Sequence, residues 1–327
     1  MRLLILGGTE FVGRALTEEA LKRGWETTVF HRGRHAAPPG VTTVLGDRTA
    51  ENGLAGLAGG EWDAVVDTWA GAPTAVRDAA RLLADRAPRY AYISSRSVYR
   101  HPCAPGLDES GALVDGSPDA GDVEYPEAKR GGELAAVAAF GDRALLVRAG
   151  LILGPWENVG RLLWWLNRMA RGGPVLAPGP RDSGIQFVDP RDLAAWTLGA
   201  IEQRLGGPYN LVSPRGHATM GELLDACARV TGGRAELRWT APEKILAAGV
   251  EPWTEIPVWI PPGELHDTIH AGGSAKAIAS GLRCRPVAET VTDTWTWLQS
   301  LPSPAPLRPD IQRTALTPQK EAEILAM

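Results

Sequence analysis

Residues 2–16 read RLLILGGTEFVGRAL, and this stretch decides the fold. The apolar run at residues 3–6 is typical of a short strand that is buried on both faces. A glycine turn follows at once, and an amphipathic helical pattern begins before Gly13. In this order of strand, turn and helix, the N–H groups at the start of the helix are free to meet a pyrophosphate. The stretch therefore predicts a dinucleotide-binding loop formed by Gly7, Thr9, Glu10, Phe11, Val12 and Gly13.

The loop departs from the usual G-x-G-x-x-G pattern, because Glu10 stands in place of the middle glycine. A carboxylate is compatible with a bound dinucleotide only if its side chain points outward over the phosphates. A purely structural glycine turn is the alternative interpretation, and the position of the loop between the first strand and first helix argues against it.

Alternating strands and helices continue to about residue 150. Strands are predicted at 2–6, 26–30, 42–45, 63–67, 90–94 and 144–147, with helices at 12–23, 73–86 and 125–140. The predicted fold class is α/β, a doubly wound parallel sheet of the Rossmann type with a smaller, irregular C-terminal substrate domain.

Three regions are predicted along the chain. Residues 1–150 form the dinucleotide-binding domain, joined by parts of 185–212, and residues 151–300 form a substrate-binding region interleaved with it. Helices are expected there at 191–203, 219–230 and 287–298. Residues 301–327 form a proline-rich extension, with prolines at 302, 304, 306 and 309, and a short terminal helix that begins at Thr317-Pro318.

The end of the second predicted strand carries the residues that choose the cofactor. An acidic residue there would bind the ribose hydroxyls, but the chain has Phe30-His31-Arg32-Gly33-Arg34. His31, Arg32 and Arg34 therefore predict binding of a 2′-phosphate and a preference for NADP(H), with NAD(H) possible if the arginines are only solvated. Asp47 and Arg48 follow the third strand, where an adenine edge is recognised.

The catalytic prediction rests on Tyr125 and Lys129, which lie one helical turn apart and form the only Tyr-x-x-x-Lys pair in the chain. An ammonium beside a phenol favours the phenolate, and this brings the pKa of the phenol into the range for proton transfer near neutral pH. Ser95 follows the fifth strand at the sheet edge where doubly wound folds bind ligands. Ser94 and Ser97 are its competitors and are expected to support the turn.

Composition excludes several classes of partner. The net charge of −4 and the pI near 5.9 provide no general attraction to nucleic acid or to an anionic membrane. Three separated cysteines and the absence of a long apolar run predict a cytoplasmic protein with reduced thiols. His266 and His270 lack a third ligand, so no metal site is predicted and loop or surface histidines are expected.

The loop at 7–13, the segment Ser-Ser-Arg-Ser-Val-Tyr at 94–99 and the Tyr-x-x-x-Lys pair resemble the extended short-chain dehydrogenase/reductase superfamily, in particular its NAD-dependent epimerase/dehydratase group. The likeness continues through Leu153-Gly154-Pro155 and residues 187–194. The resemblance implies that Ser95, Tyr125 and Lys129 are catalytic, that Lys129 also binds the cofactor, and that Trp69 lies near it. It also implies a possible homodimer through the helices that flank the fifth strand.

Nucleotide-sugar relatives usually carry an asparagine and an arginine at two positions where this chain has Leu151 and Ile185. Arg181 is a possible substitute for the arginine. Together with the tryptophan-rich second half, this favours a flat or apolar small-molecule substrate. Adjacent Trp164 and Trp165 cannot both face one core, so one of them should line a cleft or an interface. The substrate-binding residues predicted are Ser95, Tyr125, Leu151, Trp156, Trp164 and Ile185.

Three functions follow from these patterns. The first is an NADPH-dependent reductase of a carbonyl or imine group on a small, partly apolar metabolite. The alternative is an NAD-dependent epimerase or dehydratase that acts on a sugar or sugar-like substrate. A non-catalytic, cofactor-binding scaffold is the second alternative.

Overall fold

Eleven strands occur in the part of the computed structural model that is described, residues 1–308 and 315–327. They are β1 (Arg2–Leu6), β2 (Glu26–His31), β3 (Thr42–Leu45), β4 (Ala64–Asp67), β5 (Tyr90–Ser95), β6 (Ala144–Ala149), β7 (Gly173–Pro178), β8 (Gly184–Ile185), β9 (Gly207–Leu211), β10 (Ala218–Thr219) and β11 (Ala235–Thr240). Seven of them form one parallel sheet in the order β3-β2-β1-β4-β5-β6-β9. The order reverses beside β1, and this switch point is where ligands of open α/β sheets bind.

Eleven α-helices are described as well. They are α1 (Phe11–Lys22), α2 (Pro73–Leu83), α3 (Tyr125–Phe140), α4 (Arg161–Arg171), α5 (Pro190–Glu202), α6 (Met220–Val230), α7 (Pro242–Ala247), α8 (Glu264–His270), α9 (Ala275–Ala279), α10 (Val287–Ser300) and α11 (Pro318–Ala326). Helices α1 and α5 cover one face of the large sheet, and α2 and α3 cover the other.

Strand β1 shows why the sheet is covered on both faces. Leu3 and Ile5 pack in the hydrophobic cluster under α1 and α5, whereas Leu4 and Leu6 pack in the cluster under α2 and α3. All four side chains are buried. Because successive side chains of a strand point to opposite faces, an uninterrupted apolar run serves both cores at once.

A second core lies in the later part of the chain. It is built mainly from α4, α6 and α10 together with the parallel pair β7 and β11. Trp165 and Trp259 are fully buried there, and each indole N–H donates to a backbone carbonyl, of Pro257 and of Gly179 respectively. The tryptophan-rich composition of this region is thus largely explained by packing.

The predicted fold class is confirmed, and the predicted ends of the strands in the large sheet lie within two residues of those in the structure. The second half is more regular than expected, since β7–β11, α7, α8 and α9 were not predicted. Their apolar runs are short and are interrupted by Gly and Pro, so the hydrophobic period gives little signal. The division into domains stays a prediction.

The proline-rich segment at 301–308 has no helix or strand, and Pro309 of the predicted extension lies outside the described residues. Helix α11 begins as expected, with Thr317 Oγ1 accepting from the N–H of Lys320 at 3.2 Å. It is attached to the second core through a buried ion pair. Arg168 Nε donates to both Glu321 oxygens, at 2.9 and 2.7 Å, and Glu321 also accepts from the N–H of Leu176.

We predict that Glu321→Ala lowers the free energy of unfolding by about 3–5 kcal/mol, because it leaves the buried Arg168 guanidinium without its carboxylate. Urea unfolding of the variant and the parent protein measures this loss. Glu323→Ala is the matched control, since Glu323 lies on the same helix and is exposed. A loss below about 1 kcal/mol for Glu321→Ala would show that α11 is not anchored by this pair.

Candidate active site

The glycine loop after β1 is held in a conformation that only glycine permits. Gly7 has φ of +115°, and a Cβ there would lie 2.1 Å from Thr68 Oγ1 at the end of β4. A Cβ on Gly13 would lie 2.5 Å from the backbone nitrogen of Gly8, so α1 packs directly on the loop. Glu10 is the N-cap of α1 and makes no side-chain cap hydrogen bond. The first turn of α1 is therefore not capped by Glu10, the side chain at the N-cap position.

A groove of about 840 Å³ runs along the carboxyl ends of the first four strands. Of the residues predicted to bind the cofactor, it is lined by Gly7, Thr9, Glu10, His31, Arg32, Arg34, Asp47, Arg48 and Trp69. Phe11, Val12, Gly13 and Lys129 line the adjoining cleft. The groove thus brings the glycine loop and the end of β2 together around one elongated space.

Charged side chains are arranged in pairs around this groove. Glu10 turns outward, where its carboxylate lies 3.3 Å from Nε2 of His35. Hydrogen bonds from Thr49 lower the pKa of Asp47, and the charges of Arg32 and Arg34 lower it further. The far end of the groove therefore carries two guanidiniums opposed by one nearby carboxylate.

Arg48 differs from its predicted role in adenine recognition, because its guanidinium is already engaged. Both Nη atoms bind the buried carboxylate of Asp67, at 2.7 and 2.8 Å, and Nη2 also donates to the carbonyl of Ala75. Burial by itself raises the pKa of Asp67, but Arg48 and the Tyr90 hydroxyl hold it below its ordinary value. Arg48 therefore braces the floor of the groove, and only its Nε lacks a partner among the described residues.

A cleft of about 550 Å³ continues from the groove toward the second core. The two spaces share Glu10, Thr68, Ala70, Asn158 and Arg308 in their walls. Ser95, Tyr125 and Lys129 line the cleft close to this junction. The predicted catalytic residues are therefore brought together at the place where the groove opens into the cleft.

Lys129 is buried and fixed by two backbone carbonyls. Its Nζ donates to the carbonyl of Trp69 at 2.6 Å and to that of Ile93 at 2.7 Å. Trp69 follows β4 and Ile93 lies within β5, so the side chain ties α3 to two strands of the sheet. Burial lowers the pKa of Lys129 to about 7. The ammonium lies 5.9 Å from the centre of the Tyr125 ring.

Tyr125 opens α3, and its phenol faces Ser95. Burial raises the pKa of the phenol above its ordinary value, while hydrogen bonding to Ser95 and the charges of Arg308 and Arg161 act in the opposite direction. Two arginines therefore favour its phenolate in this structure, and the effect that the sequence predicts for Lys129 stays a prediction. Ser95 Oγ also accepts from the N–H of Ser97 and contacts Ser97 Oγ, both at 3.1 Å.

A buried polar network holds α3 behind the site. Glu133 is fully buried and accepts from Ser94 Oγ at 2.8 Å, from Arg148 and from Arg130. Arg148 in turn donates to the hydroxyl of Tyr99. Ser94 is therefore committed to this network, and Ser95 is the serine of the strand end that faces Tyr125.

The predicted substrate-binding residues are divided by the structure. Leu151 lines the cleft, but Ile185 is 3% exposed in the second core, because β8 turns it inward. Trp156 contacts Trp297, with ring centroids 5.3 Å apart, and the Arg14 guanidinium lies 3.6 Å from its ring centre. Neither Ile185 nor Trp156 belongs to the cleft, so both predictions are corrected.

The adjacent tryptophans also pack away from the cleft. Trp164 lies edge-on to Trp165 at 4.7 Å between ring centroids, and its ring packs on the second core. The prediction that Trp164 contacts substrate is therefore corrected too. Two neighbouring indoles share one core because the first is only partly buried. Arg181, the possible substitute for the arginine that relatives carry at position 185, is likewise absent from the cleft lining. Its guanidinium pairs with Asp225.

Several cleft residues carry no predicted role. They are Arg96, His101, Cys103, Asn158, Arg161, Trp253 and Arg308, all in the cleft wall. Arg96 directly follows Ser95 in the segment at 94–99, so its position in the sequence could have indicated that it lines the cleft. Arg308 is brought to the junction by the proline-rich segment, where its N–H donates to the carbonyl of Asn158 at 2.9 Å. No local pattern predicts such a long-range contact.

The described residues hold no cluster of three His, Cys, Asp or Glu side chains suited to a metal ion. His266 and His270 lie on α8 and not in a loop. Burial lowers the pKa of His270 to about 4, and its Nε2 lies 3.0 Å from the carbonyl of Val258. Across residues 1–308 and 315–327, we find no helix with the length and apolar character needed to cross a membrane.

The doubly wound sheet, the glycine loop and the Tyr-x-x-x-Lys pair at the sheet edge define a protein of the extended short-chain dehydrogenase/reductase superfamily. Residues 3–211, more than half of the chain, match the NAD dependent epimerase/dehydratase family. The chain belongs to that family.

Known proteins show the same relationship. The Epimerase family protein SDR39U1 of Bos taurus is 28% identical over 260 residues, which cover 71% of this chain and 81% of the bovine protein. Among solved structures, a putative epimerase from Burkholderia cenocepacia is similar with a TM-score of 0.69 and 20% identity, over 92% of this chain and 98% of the other. UDP-glucose 4-epimerase of Thermus thermophilus, in complex with NAD, gives a TM-score of 0.63 at 19% identity, over 92% and 99% of the two chains. At these identities the solved structures support the fold.

The lowered pKa of Lys129 predicts a pH-dependent stability. Between about pH 7 and its ordinary pKa of 10.5, the unfolded chain keeps a proton that the folded chain has lost, so the free energy of unfolding rises with pH. In Lys129→Met this contribution is absent, and we expect the rise from about pH 7 to about pH 10 to be smaller by roughly 3 kcal/mol.

Urea unfolding of both proteins at the two pH values measures the difference. Lys276→Met is the control, because Lys276 also donates to a backbone carbonyl but is exposed. Equal pH dependence in Lys129→Met and the parent protein would mean that Lys129 keeps an ordinary pKa.

Proposed function

We propose that this protein is a dinucleotide-dependent enzyme of the epimerase/dehydratase type, which acts on a hydroxyl-bearing carbon of a small substrate. The observation that carries the proposal is the position of Ser95, Tyr125 and Lys129 where the groove meets the cleft. Membership of the epimerase/dehydratase family supports the same reaction type over a simple carbonyl reductase.

The residues of the groove fit a pyridine dinucleotide. Gly7 and Gly13 leave no room for a Cβ, so the loop packs closely on β4 and α1, and Glu10 does not cap the first turn of α1, whose N–H groups could meet a pyrophosphate. Gly7, Thr9 and residues 10–13 would hold the phosphates, and Lys129 would reach the nicotinamide ribose. When bound, the nicotinamide supplies the acceptor and donor of a hydride.

The chain's own residues account for the proton transfer. Tyr125 takes the proton of the substrate hydroxyl and returns it, while Ser95 holds the same oxygen in place. Arg161 and Arg308 oppose the effect of burial on the phenol and bring its pKa toward the working range. Lys129 fixes α3 through the carbonyls of Trp69 and Ile93, which keeps the phenol at the junction.

The segment at 306–308 favours a cofactor that stays bound between turnovers. Pro306, Leu307 and Arg308 line the groove, and Arg308 is bonded to the carbonyl of Asn158 on the other side of the junction. A reductase must release its oxidised nucleotide after each turnover, whereas an epimerase regenerates it in place. A segment lying over the groove suits the second kind of cycle.

The test is the nucleotide content of the purified protein and its response to substrates. Denaturation of the purified protein should release close to one nucleotide per chain. In the folded protein, this bound nucleotide should become reduced on mixing with some members of a panel of sugars and hydroxy acids, and added NADPH should not be consumed. Tyr125→Phe should keep its nucleotide and lose activity by about 100-fold or more. Tyr209→Phe, outside the cleft, is the control.

The other outcomes of this experiment are distinct. Stoichiometric consumption of added NADPH with a carbonyl compound would replace the epimerase proposal with the reductase. Full retention of every measurable property in Tyr125→Phe would instead favour a non-catalytic, cofactor-binding scaffold.

An NADPH-dependent reductase is the second candidate, and the end of β2 favours it. His31, Arg32 and Arg34 line the groove, and β2 ends without a carboxylate that would repel a 2′-phosphate. We therefore also propose a preference for NADP(H), moderated by Asp47, which lies close enough to both arginines to feel their charge.

Calorimetric titration of the nucleotide-free protein with NADPH and with NADH tests the preference. We expect NADPH to bind more tightly, and Arg32→Ala to weaken NADPH by roughly tenfold with little effect on NADH. Arg171→Ala, an exposed arginine outside the groove, is the control. Tighter binding of NADH by the parent protein would overturn this assignment of the end of β2.

A further inference from the structure

The cleft beyond Tyr125 carries an excess of positive charge. Its described lining includes four cationic side chains, Arg96, Lys129, Arg161 and Arg308, and one carboxylate, Glu10, which lies at the junction with the groove. Glu10 turns toward His35 and away from the deeper cleft. An apolar substrate would leave the buried guanidinium of Arg96 without a counter-ion, and burying such a charge is costly.

Arg96 is the most unusual of these cations. It is 8% exposed, and within residues 1–308 and 315–327 its Nη atoms donate only to the carbonyls of Ile269 and Thr268, both at 3.3 Å. Its Nε is buried and has no hydrogen-bond partner among the described residues. Burial lowers its pKa, and the groups that oppose this shift are Cys103 and Tyr99. A buried guanidinium with weak, neutral partners is suited to receive an anion.

The position of the Arg96 guanidinium is fixed by close packing. A Cβ on Gly272 would lie 2.2 Å from Arg96 Cζ, so the guanidinium lies against the backbone at that glycine. Arg96 also follows Ser95 directly in the chain. Both residues line the cleft, so the charge and the serine that orients the substrate oxygen share one space.

Arg161 supplies a second cation from the other wall. It begins α4, and its guanidinium lies 5.0 Å from the ring centre of Trp253, which also lines the cleft. Both oxygens of nearby Glu157 accept backbone N–H groups, of Arg161 at 2.5 Å and of Leu162 at 3.0 Å. Burial lowers the pKa of Arg161 even though Glu157 opposes the shift.

From this arrangement we propose that Arg96 and Arg161 form an anion-binding subsite for a carboxylate or phosphate group carried by the small substrate itself, next to the carbon that reacts at Tyr125. The substrate is then a hydroxylated acid or a phosphorylated hydroxyl compound. This inference rests on the proposed function and differs from the expectation of a flat or apolar substrate. Leu151 and Trp253 supply the apolar part of the wall.

Calorimetric titration of the whole protein with malonate and with inorganic phosphate tests the subsite, and glycerol serves as an uncharged probe. We expect one or both anions to bind and glycerol not to bind. The stronger anion identifies the substituent as carboxylate or phosphate. Arg161→Gln should weaken that binding by about tenfold or more, while Arg215→Gln, an exposed arginine outside the cleft, should leave it unchanged.

Two further variants keep the test decisive. Gly272→Ala retains every charge but displaces the Arg96 guanidinium, so it should also weaken anion binding, with a folded circular dichroism spectrum as the check. Arg32→Ala reports on phosphate bound in the dinucleotide groove. Loss of anion binding in Arg32→Ala together with unchanged binding in Arg161→Gln and Gly272→Ala would overturn the subsite.

Absence of anion binding in the parent protein would overturn the subsite as well. Nucleotide titration of the same samples separates this failure from that of the proposed function. A protein that binds the dinucleotide but neither anion keeps its function and loses the subsite. A protein that binds an anion through Arg161 but no dinucleotide keeps the subsite and loses the proposed function.

Discussion

The ammonium of Lys129, held between the carbonyls of Trp69 and Ile93, is the interaction on which the site depends. It joins α3 to the ends of two strands at the edge where the groove opens. Burial of this charge is unfavourable, as its lowered pKa shows, and the two short hydrogen bonds offset only part of that cost. A buried charge with a shifted pKa at the edge of a cleft is typical of functional sites, where perturbed pKa values cluster.

Two other constraints keep Tyr125 in place once Lys129 is anchored. The buried carboxylate of Glu133 links α3 to Ser94 of β5 and Arg148 of β6. On the opposite side, Asp67 and Arg48 brace the end of β4. The residues proposed to be catalytic therefore rest on strands and a helix that are fixed by buried ion pairs, which gives a site rigid enough to hold a proton donor in position.

The sequence predicted those parts of the fold and site that depend on interactions between residues close together in the chain. The apolar run of β1, the glycines at 7 and 13 and the spacing of Tyr125 and Lys129 each express a constraint within a few residues, and the structure brings them together at one edge. Trp156, Trp164 and Ile185 were misassigned, because whether an apolar side chain faces a cleft or a core is set by distant partners. Arg308 was missed for the same reason, since it reaches the junction only through the path of the proline-rich segment.

The charge of the cleft and the groove differs from the charge of the chain as a whole. The chain is acidic overall, yet Arg96, Arg161 and Arg308 line the cleft, and Arg32 and Arg34 line the far end of the groove. Desolvated cations in a cleft strengthen the attraction for an anionic ligand, whereas the solvated acidic surface is screened. Net charge thus describes the exterior of this protein and says little about its substrate.

The most direct measurement of the central claim is a crystal structure of the protein with NADP⁺ or NAD⁺ bound. We expect the pyrophosphate at the first turn of α1, the nicotinamide ribose in hydrogen-bond contact with Lys129, and the pyridine ring facing the phenol of Tyr125 across the cleft. A nucleotide bound elsewhere, or one whose pyridine ring lies in solvent while Tyr125 packs into the interior, would contradict it.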